Sequence, residues 1–344
     1  MNPVRLQDVA ARAGVSPKTV SRVVNREPLV SARTRQKVLE VIEELNYRPN
    51  KAAQSLAGHR SFLVGLLYDN PSTAYVTGLQ EGLLRACDRS GYGLVIHPCN
   101  HRDPDLIDKL RGLITSTRMD GVVLSPPFTE SREVQTLLAE QGIPVALISP
   151  LDQERAGPLA FTDDVSAARR MMAYLIDLGH RRIGFVRGLQ HRSGSEMRFE
   201  GYKRALEEIG IDFEPDLVAN GEFTFEAAET AAGTLLSLPE PPTAIFASSD
   251  YMAAGVLKAA HRHGVAVPDE LSVCGFDDNP VARYLTPTLT TMRHPVQELA
   301  EHAGELLIRE LVPNETRPSL PPVVSELVVR ESCAPISEPH RGIR

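Results

Sequence analysis

The 344-residue sequence has no tryptophan, and only Phe 10 and Tyr 8 supply its aromatic rings, so any aromatic wall is built from those two types. Its four cysteines, Cys87, Cys99, Cys274 and Cys333, stand far apart with no C-x-x-C spacing. That argues against a zinc knuckle and suits core thiols in a reducing compartment. No run of about 18 apolar residues occurs, so no segment reads as a membrane span. The opening MNPVRLQDVAARAGV lacks an apolar stretch before a small-residue cleavage site, and secretion is not expected. The phosphate-binding G-x-x-x-x-G-K-[ST], the dinucleotide fingerprint G-x-G-x-x-G, the nucleophile elbow G-x-S-x-G and the zinc pattern H-E-x-x-H are all missing. His191-Arg192 and His261-Arg262-His263 read as basic surface clusters without a carboxylate at ligand spacing. Neither an enzyme nor a metal or other cofactor is expected.

What is present becomes visible when charge is resolved along the chain. The total is −7, which on its own speaks against a nucleic-acid partner. Residues 1–60 hold eleven Lys/Arg against five Asp/Glu, a balance of +6; the rest hold 26 against 39, or −13. A small basic module precedes a larger acidic one.

In the basic module Leu6, Val9, Ala10 and Ala13 recur at helical spacing, and Gly14 follows where a helix ends in a left-handed residue. Ser16 is a candidate N-cap and Pro17 occupies the first position of a second helix, Pro17–Asn25, which buries Val20, Val23 and Val24. Its other face carries Lys18, Ser21, Arg22 and Asn25 at i, i+3, i+4 and i+7. Ser31 opens a third helix whose Val38, Val41, Ile42 and Leu45 complete a small core. Two short helices about a glycine turn, the second with a basic polar stripe, form a helix-turn-helix. Arginine reads guanine edges and asparagine reads adenine in the major groove. As structure alone, the same stripe is a solvated helix face.

The run L6-Q-D-V-A-A-R-A-G-V-S-P-K-T-V-S-R-V-V-N25, with V30 through N50, resembles the DNA-binding headpiece of the lactose repressor/galactose repressor family, without gaps to about residue 60. The resemblance implies DNA contacts from Ser16, Pro17, Lys18, Thr19, Ser21, Arg22, Asn25, Ser31 and Thr34. It departs at Arg5, where related sequences often place a Thr cap; that loss costs about 1 kcal/mol unless Arg5 meets a phosphate. Asn50 through Ala57, with Ala53, Leu56 and Ala57 on one face and Gly58 at its end, is too short to be a stable isolated helix. By resemblance it is a hinge helix that pairs with a second copy in the minor groove, contacts DNA through Asn50, Ala53, Leu56 and Ala57, and wedges Leu56 into a central CG step of a near-palindrome. The plain reading is a linker.

From Ser61 on, apolar runs (62–68, 94–97, 121–124, 144–148, 183–186, 244–247 and 271–276) alternate with helix-length amphipathic stretches such as 165–179 and 249–263. Continuous apolar strands between helices indicate doubly wound parallel sheets, and this many units over such a length indicate two lobes. Ligands of such folds sit beyond the carboxyl ends of the strands. Polar groups gather there: Asp69-Asn70, Ser149, Ser248-Ser249-Asp250 and Asp277-Asp278. Polar groups converging between aromatic walls suit a polyhydroxylated ligand.

The family resemblance continues through L178-G-H-R-R-I-G-F185, R198-F-E-G-Y202, F246 through G255, V273 through D278 and L289 through R293. It implies an α/β two-lobed, periplasmic-binding-protein-like effector domain behind an all-α headpiece. Its domains are 1–49 headpiece, 50–60 hinge and linker, 61–335 effector domain and 336–344 disordered tail. The first lobe takes about 61–161 and 293–322, the second about 162–292 and 323–335. Effector contacts are implied at Asp69, Tyr75, Ser149, Phe161, Arg198, Phe223, Ser249, Asp277 and His294, with Arg198 and Asp277 gripping hydroxyls. Phe223 stands where some relatives stack an indole, Ser249 replaces an Asn, and His294 falls where a Gln reaches ligand, so specificity does not carry over. Asp250 and Asp278 read as structural. The whole reads as a cytoplasmic, homodimeric repressor of carbohydrate-utilisation genes that binds a near-palindromic DNA operator and a sugar-like effector, with no membrane partner. Control by a nucleobase or a partner protein fits the same residues, and a sugar-binding protein without a regulatory role is the distant alternative. The tail ESCAPISEPHRGIR lacks a leucine heptad, so assembly is expected to stop at the dimer.

Overall fold

The structure, a computed structural model, describes residues 4–24, 29–47, 60–312 and 323–336. Two compact units meet at Phe62/Leu63, two residues past the expected edge of the effector domain. Asn25, Asn50, Ala53, Leu56, Ala57 and residues 337–344 lie outside the described residues.

The first unit has helices α1 (Leu6–Ala13), α2 (Pro17–Val24) and α3 (Ala32–Glu44). Gly14 ends α1 at φ +65, a conformation a side chain resists, and the Val15 N–H closes the turn on Ala10 O at 3.0 Å. Ser16 Oγ accepts the Thr19 N–H at 3.1 Å, so the expected cap forms, and Ser31 Oγ caps α3 in the same way by taking the Thr34 N–H at 3.3 Å. At Arg5 no side chain caps the helix, but Asp8 Oδ2 accepts the Arg5 N–H at 2.7 Å, the returning half of a capping box. Val9, Ala10, Ala13, Val20, Val23, Val38, Val41 and Tyr47 form the core.

The second unit runs β1 (Leu63–Tyr68), α4 (Thr73–Ser90), β2 (Gly93–Pro98), α5 (Leu106–Thr117), β3 (Gly121–Leu124), α6 (Arg132–Glu140), β4 (Val145–Ile148), β5 (Leu159–Ala160) and α7 (Asp164–Asp177). It continues with β6 (Ile183–Arg187), α8 (Ser193–Glu208), β7 (Val218–Asn220), α9 (Phe225–Leu236), β8 (Ala244–Ala247), α10 (Asp250–His263) and β9 (Ser272–Asp277). Last come α11 (Val281–Tyr284), β10 (Thr290–Arg293), α12 (Val296–Leu311) and β11 (Glu326–Val328). One sheet has the order β2-β1-β3-β4-β5, all parallel. The other has β11-β10-β9-β8-β6-β7, parallel except for β11. The chain leaves the first sheet after Ala160, returns after Arg293 to pack α12 on α4, and rejoins the second sheet at β11.

Alternate residues of one strand serve opposite faces. Ile183 and Phe185 enter the core beneath α7 and α8, and Val186 enters the core beneath α9 and α10. Ala244 and Phe246 repeat the division against Ile245 and Ala247, which is why these strands read as unbroken apolar runs. The run from Leu178 to Phe185 has a structural purpose: His180 bonds Thr243 Oγ1 and Ser272 Oγ, both at 2.9 Å, tying the bottoms of three strands. One boundary needs correcting. Ile336, assigned to the tail, donates its N–H to Leu178 O at 2.9 Å, so the ordered chain reaches at least that residue.

Candidate ligand cleft and DNA-reading helix

On α2, Ser16, Pro17 and Lys18 are exposed, and Thr19, Ser21 and Arg22 are half-buried around the inward Val20 and Val23. The basic stripe therefore occupies the face opposite the headpiece core. Ser16 and Thr19 hydroxyls lie 2.9 Å apart, as do those of Ser31 and Thr34. These four side chains organise the starts of α2 and α3 while remaining at the surface.

In the second unit, the carboxyl ends of the strands enclose a cleft of about 710 Å³, measured to its open mouth. The first lobe supplies Asn70, Pro71, Ser72, Tyr75, Pro126 and Ser149; the second supplies Asp164, Leu189, Arg192, Ser193, Gly194, Arg198, Phe223, Ser249, Tyr251 and Asp277; His294 stands at the crossover. Phe223 is laid against the backbone of Gly188, where a Cβ would fall 2.2 Å from the ring. Ser149, Phe223 and Asp277 hold φ of +48, +59 and +123, a cluster of strained backbone at the strand ends.

Arg198 organises the floor. Its Nε donates to Asp164 Oδ2 at 2.9 Å, Nη1 donates to Ser248 O at 2.7 Å, and the guanidinium lies 3.6 Å from the Phe276 ring centroid. Asp277 Oδ1 is farther, 3.6 Å from Nη1. The cation is thus fixed by Asp164, leaving Asp277 the less committed carboxylate. Burial pushes Asp277 up to about 7; Arg198 opposes the rise and Asp164 adds to it. Burial also works to raise Asp164, but Arg198, His294 and the Thr162 hydroxyl outweigh it and hold that carboxyl low. His294 is driven down to about 4, first by burial, with Asp164 opposing and Arg198 adding. It is therefore a neutral ring, bonded through Nε2 to Thr162 Oγ1 at 3.1 Å, stacked on Tyr75 at 6.4 Å, and with no partner on Nδ1. On this floor a cation, a carboxylate near its midpoint, a neutral imidazole and apolar rings form a surface that suits hydroxyl groups.

Of the expected contacts, Tyr75, Ser149, Arg198, Phe223, Ser249, Asp277 and His294 are brought to the lining. Asp69 and Phe161 are not. Asp69 is engaged one step behind it, taking the His101 N–H at 2.9 Å and bonding His101 Nδ1 at 2.5 Å, and its neighbour Asn70 lines the cleft instead. Phe161 is 37% exposed and off the lining, since β5 ends at Ala160 and the chain there turns outward. Asp250 takes the Thr291 hydroxyl and the Asn279 N–H, and Asp278 pairs with Arg330, both structural as expected. Of the lining residues that sequence reading did not assign to the cleft, two are charged. Asp164 opens α7 beside its capping neighbour Asp163, and tandem carboxylates at a helix start are the signal that marked it. Arg192, read as part of a basic surface cluster, is only 8% exposed: Nη1 donates to Asp69 O at 2.5 Å and Pro126 O at 2.8 Å. The Ser-Gly-Ser run directly after it, opening a helix, was the available clue. Among the described residues no His/Cys/Asp/Glu group can hold a metal, and no helix is long and apolar enough to cross a membrane.

Residues 5–50 match the lacI family of bacterial regulatory proteins, and 172–333 match a periplasmic binding protein-like domain. Over 334 residues the chain is 31% identical to the HTH-type transcriptional regulator DegA of Bacillus subtilis (strain 168), spanning 96% of this chain and 98% of that protein. A transcriptional regulator CelR–cellobiose complex aligns with TM-score 0.73 and 30% identity, over 96% of this chain and 99% of that one. The lac repressor dimer bound to operator and the anti-inducer ONPF aligns with TM-score 0.75 and 26% identity, over 97% and 100%.

Proposed function

The chain belongs to the lacI family of bacterial regulatory proteins and is a DNA-binding transcriptional regulator, not an enzyme; from this premise we propose a cytoplasmic, homodimeric repressor of carbohydrate genes, controlled by a polyhydroxylated effector held between its lobes. The observation that carries the reading is the cleft: its polar lining comes from both lobes, and Ser149, Ser193 and His294 each have a buried polar atom without a hydrogen-bond partner. A ligand satisfying those atoms bonds to both lobes at once and so favours one lobe arrangement over another. The solved relative with cellobiose supports the ligand class, and the operator-bound lac repressor supports the dimer.

Two headpieces then read half-sites about one helical turn apart through α2, while Asn50, Ala53, Leu56 and Ala57 contact the minor groove between them. Induction and co-repression differ only in which state the ligand binds better. Moving the population from mostly bound to mostly free takes a preference of roughly 10⁴-fold. The test is a gel shift on palindromes upstream of neighbouring genes, with and without a panel of sugars. Wild type is expected to bind one palindrome with an affinity that one sugar changes. Arg22→Ala is expected to cost about 1–3 kcal/mol and relax a single base position. If no palindrome binds under any ligand, the repressor reading fails.

A further inference from the structure

One wall of the cleft differs from the others. Helix α8 is sixteen residues long and starts at Arg192 with no side-chain cap, so its first N–H groups and its partial positive charge face the cavity where Ser193 and Gly194 line it. A cap residue normally brings an acceptor to this place; here it brings a cation. Ser193 is 0% exposed, lines the cleft, and its Oγ has no hydrogen-bond partner. Ser149, on the first lobe's side of the same cavity, also has an unpartnered Oγ. The first-turn Glu196 is engaged elsewhere, taking Arg187 Nη2 at 2.5 Å and the His191 N–H at 3.0 Å.

The charges of the lining can be counted. Arg198 and Asp164 offset each other at 2.9 Å. The carboxyl of Asp277 holds its proton for part of the time near neutrality, because burial raises it to about 7. Arg192 donates to two neutral carbonyls, and the nearest carboxylate, Asp69 at 3.8 Å, is shared with His101. Asp277 and Asp69 thus offset part of the charge of Arg192, and what positive potential remains comes from that arginine together with the uncapped helix start, where Ser193 and Gly194 line the cleft.

We propose that the effector is a polyhydroxylated molecule bearing one carboxylate, seated on the N-terminus of α8 between Arg192, Ser193 and Ser149, with hydroxyls reaching Arg198 and Asp277. Arginine and free backbone N–H groups are the usual partners of such an anion. A phosphate ester brings up to two charges, more than one helix start beside a partly offset arginine matches. This proposal rests on the cleft being the effector site and names the chemistry that the site selects.

The test is titration calorimetry on the full chain with galactose, galacturonate and galactose 6-phosphate, and with glucose, glucuronate and glucose 6-phosphate, at low and physiological salt. At least one uronate is expected to bind about tenfold tighter than its parent sugar, a difference that shrinks at higher salt. Ser193→Ala and Arg192→Lys are each expected to reduce that preference several-fold; the lysine retains the charge and tests the geometry. A neutral sugar binding as tightly as its uronate, with Arg198→Ala abolishing both, overturns the carboxylate and leaves the cleft reading standing. Uronate binding indifferent to Arg198→Ala sinks the cleft reading itself. A phosphate ester binding tighter than the uronate overturns the single charge, and binding of none of the six overturns the proposal.

Discussion

The headpiece and the effector domain each hold an arginine–carboxylate pair, in opposite surroundings. Arg12 and Glu44 meet at 2.5 Å with side chains 60% and 49% exposed; Arg198 and Asp164 meet at 2.9 Å with 6% and 6%. The shorter contact is the weaker one. Water competes for both ends of the surface pair and salt screens it, whereas the buried pair has lost its hydration and has in return itself, Ser248 O, the Thr162 hydroxyl, Asp277 and the Phe276 ring. Distance describes a contact, but burial decides what its loss costs.

The comparison is tested most severely by Arg198→Ala, which leaves Asp164 buried without its cation. Its expected cost is about 3–5 kcal/mol of effector-domain stability, together with loss of the ligand response. Denaturant melts followed by a probe in the second unit measure it. A loss no larger than that of a surface substitution contradicts the account of the floor. Rescue of melting but not of ligand response by Arg198→Lys separates the charge from the fork geometry.

Second is the pH response of the same floor. His294 titrates near 4 when folded, against 6.5 in its ordinary state, so between those values the unfolded chain binds a proton that the folded chain does not. Its contribution to stability therefore rises with pH from about 4 to about 6.5. Asp277 works the other way: held to about 7 when folded and 3.8 otherwise, it contributes stability at low pH that is lost as pH rises through about 7. His294→Gln removes only the rising part, so the gap in melting temperature between wild type and variant is expected to widen from pH 4 to 6.5. Parallel curves across that window show that His294 is not held neutral by its surroundings.

The same contrast explains what the sequence discloses. The headpiece is built from neighbours. Ser16, Ser31 and Gly14 act within a few residues of themselves, so α1 was placed to the residue and α2 and α3 to within one or two of the observed ends. In the effector domain six of the seven apolar strands were legible because each is buried on two faces, and the half-buried edge strand β2 was legible from its Leu94-Val95-Ile96 run. Strands β5, β7, β10 and β11 were missed because they are two to four residues long, and Thr290-Thr291 and Glu326 carry no apolar signal. Arg198, Phe223 and Asp277 reached the lining list by resemblance. The partner choice of Arg198, Asp164 before Asp277, did not, since it depends on how α7 packs against α8. The burial of Arg192 is a tertiary fact of the same kind: its carbonyl partners lie on the other lobe.

The smallest expected effect closes the comparison from the headpiece side. Arg12 forms a fork on Glu44, with Nε at 3.2 Å and Nη2 at 2.5 Å from Oε1, and so links α1 to α3. The hydrogen bond and the charge of Glu44 raise Arg12, and the hydrogen bond from Arg12 lowers Glu44. In a dry site those shifts mark a strong pair. Here both ends face water, and three core-forming helices hold α1 against α3 through Val9, Ala13, Val38 and Val41 whether or not the fork is made. Arg12→Ala is accordingly expected to leave the headpiece melting curve unchanged within error, with at most a small loss that vanishes in high salt. A salt-independent destabilisation would mean that the arginine acts through its methylene stem packed on α3 rather than through its charge, and Arg12→Met, which keeps the stem, distinguishes the two.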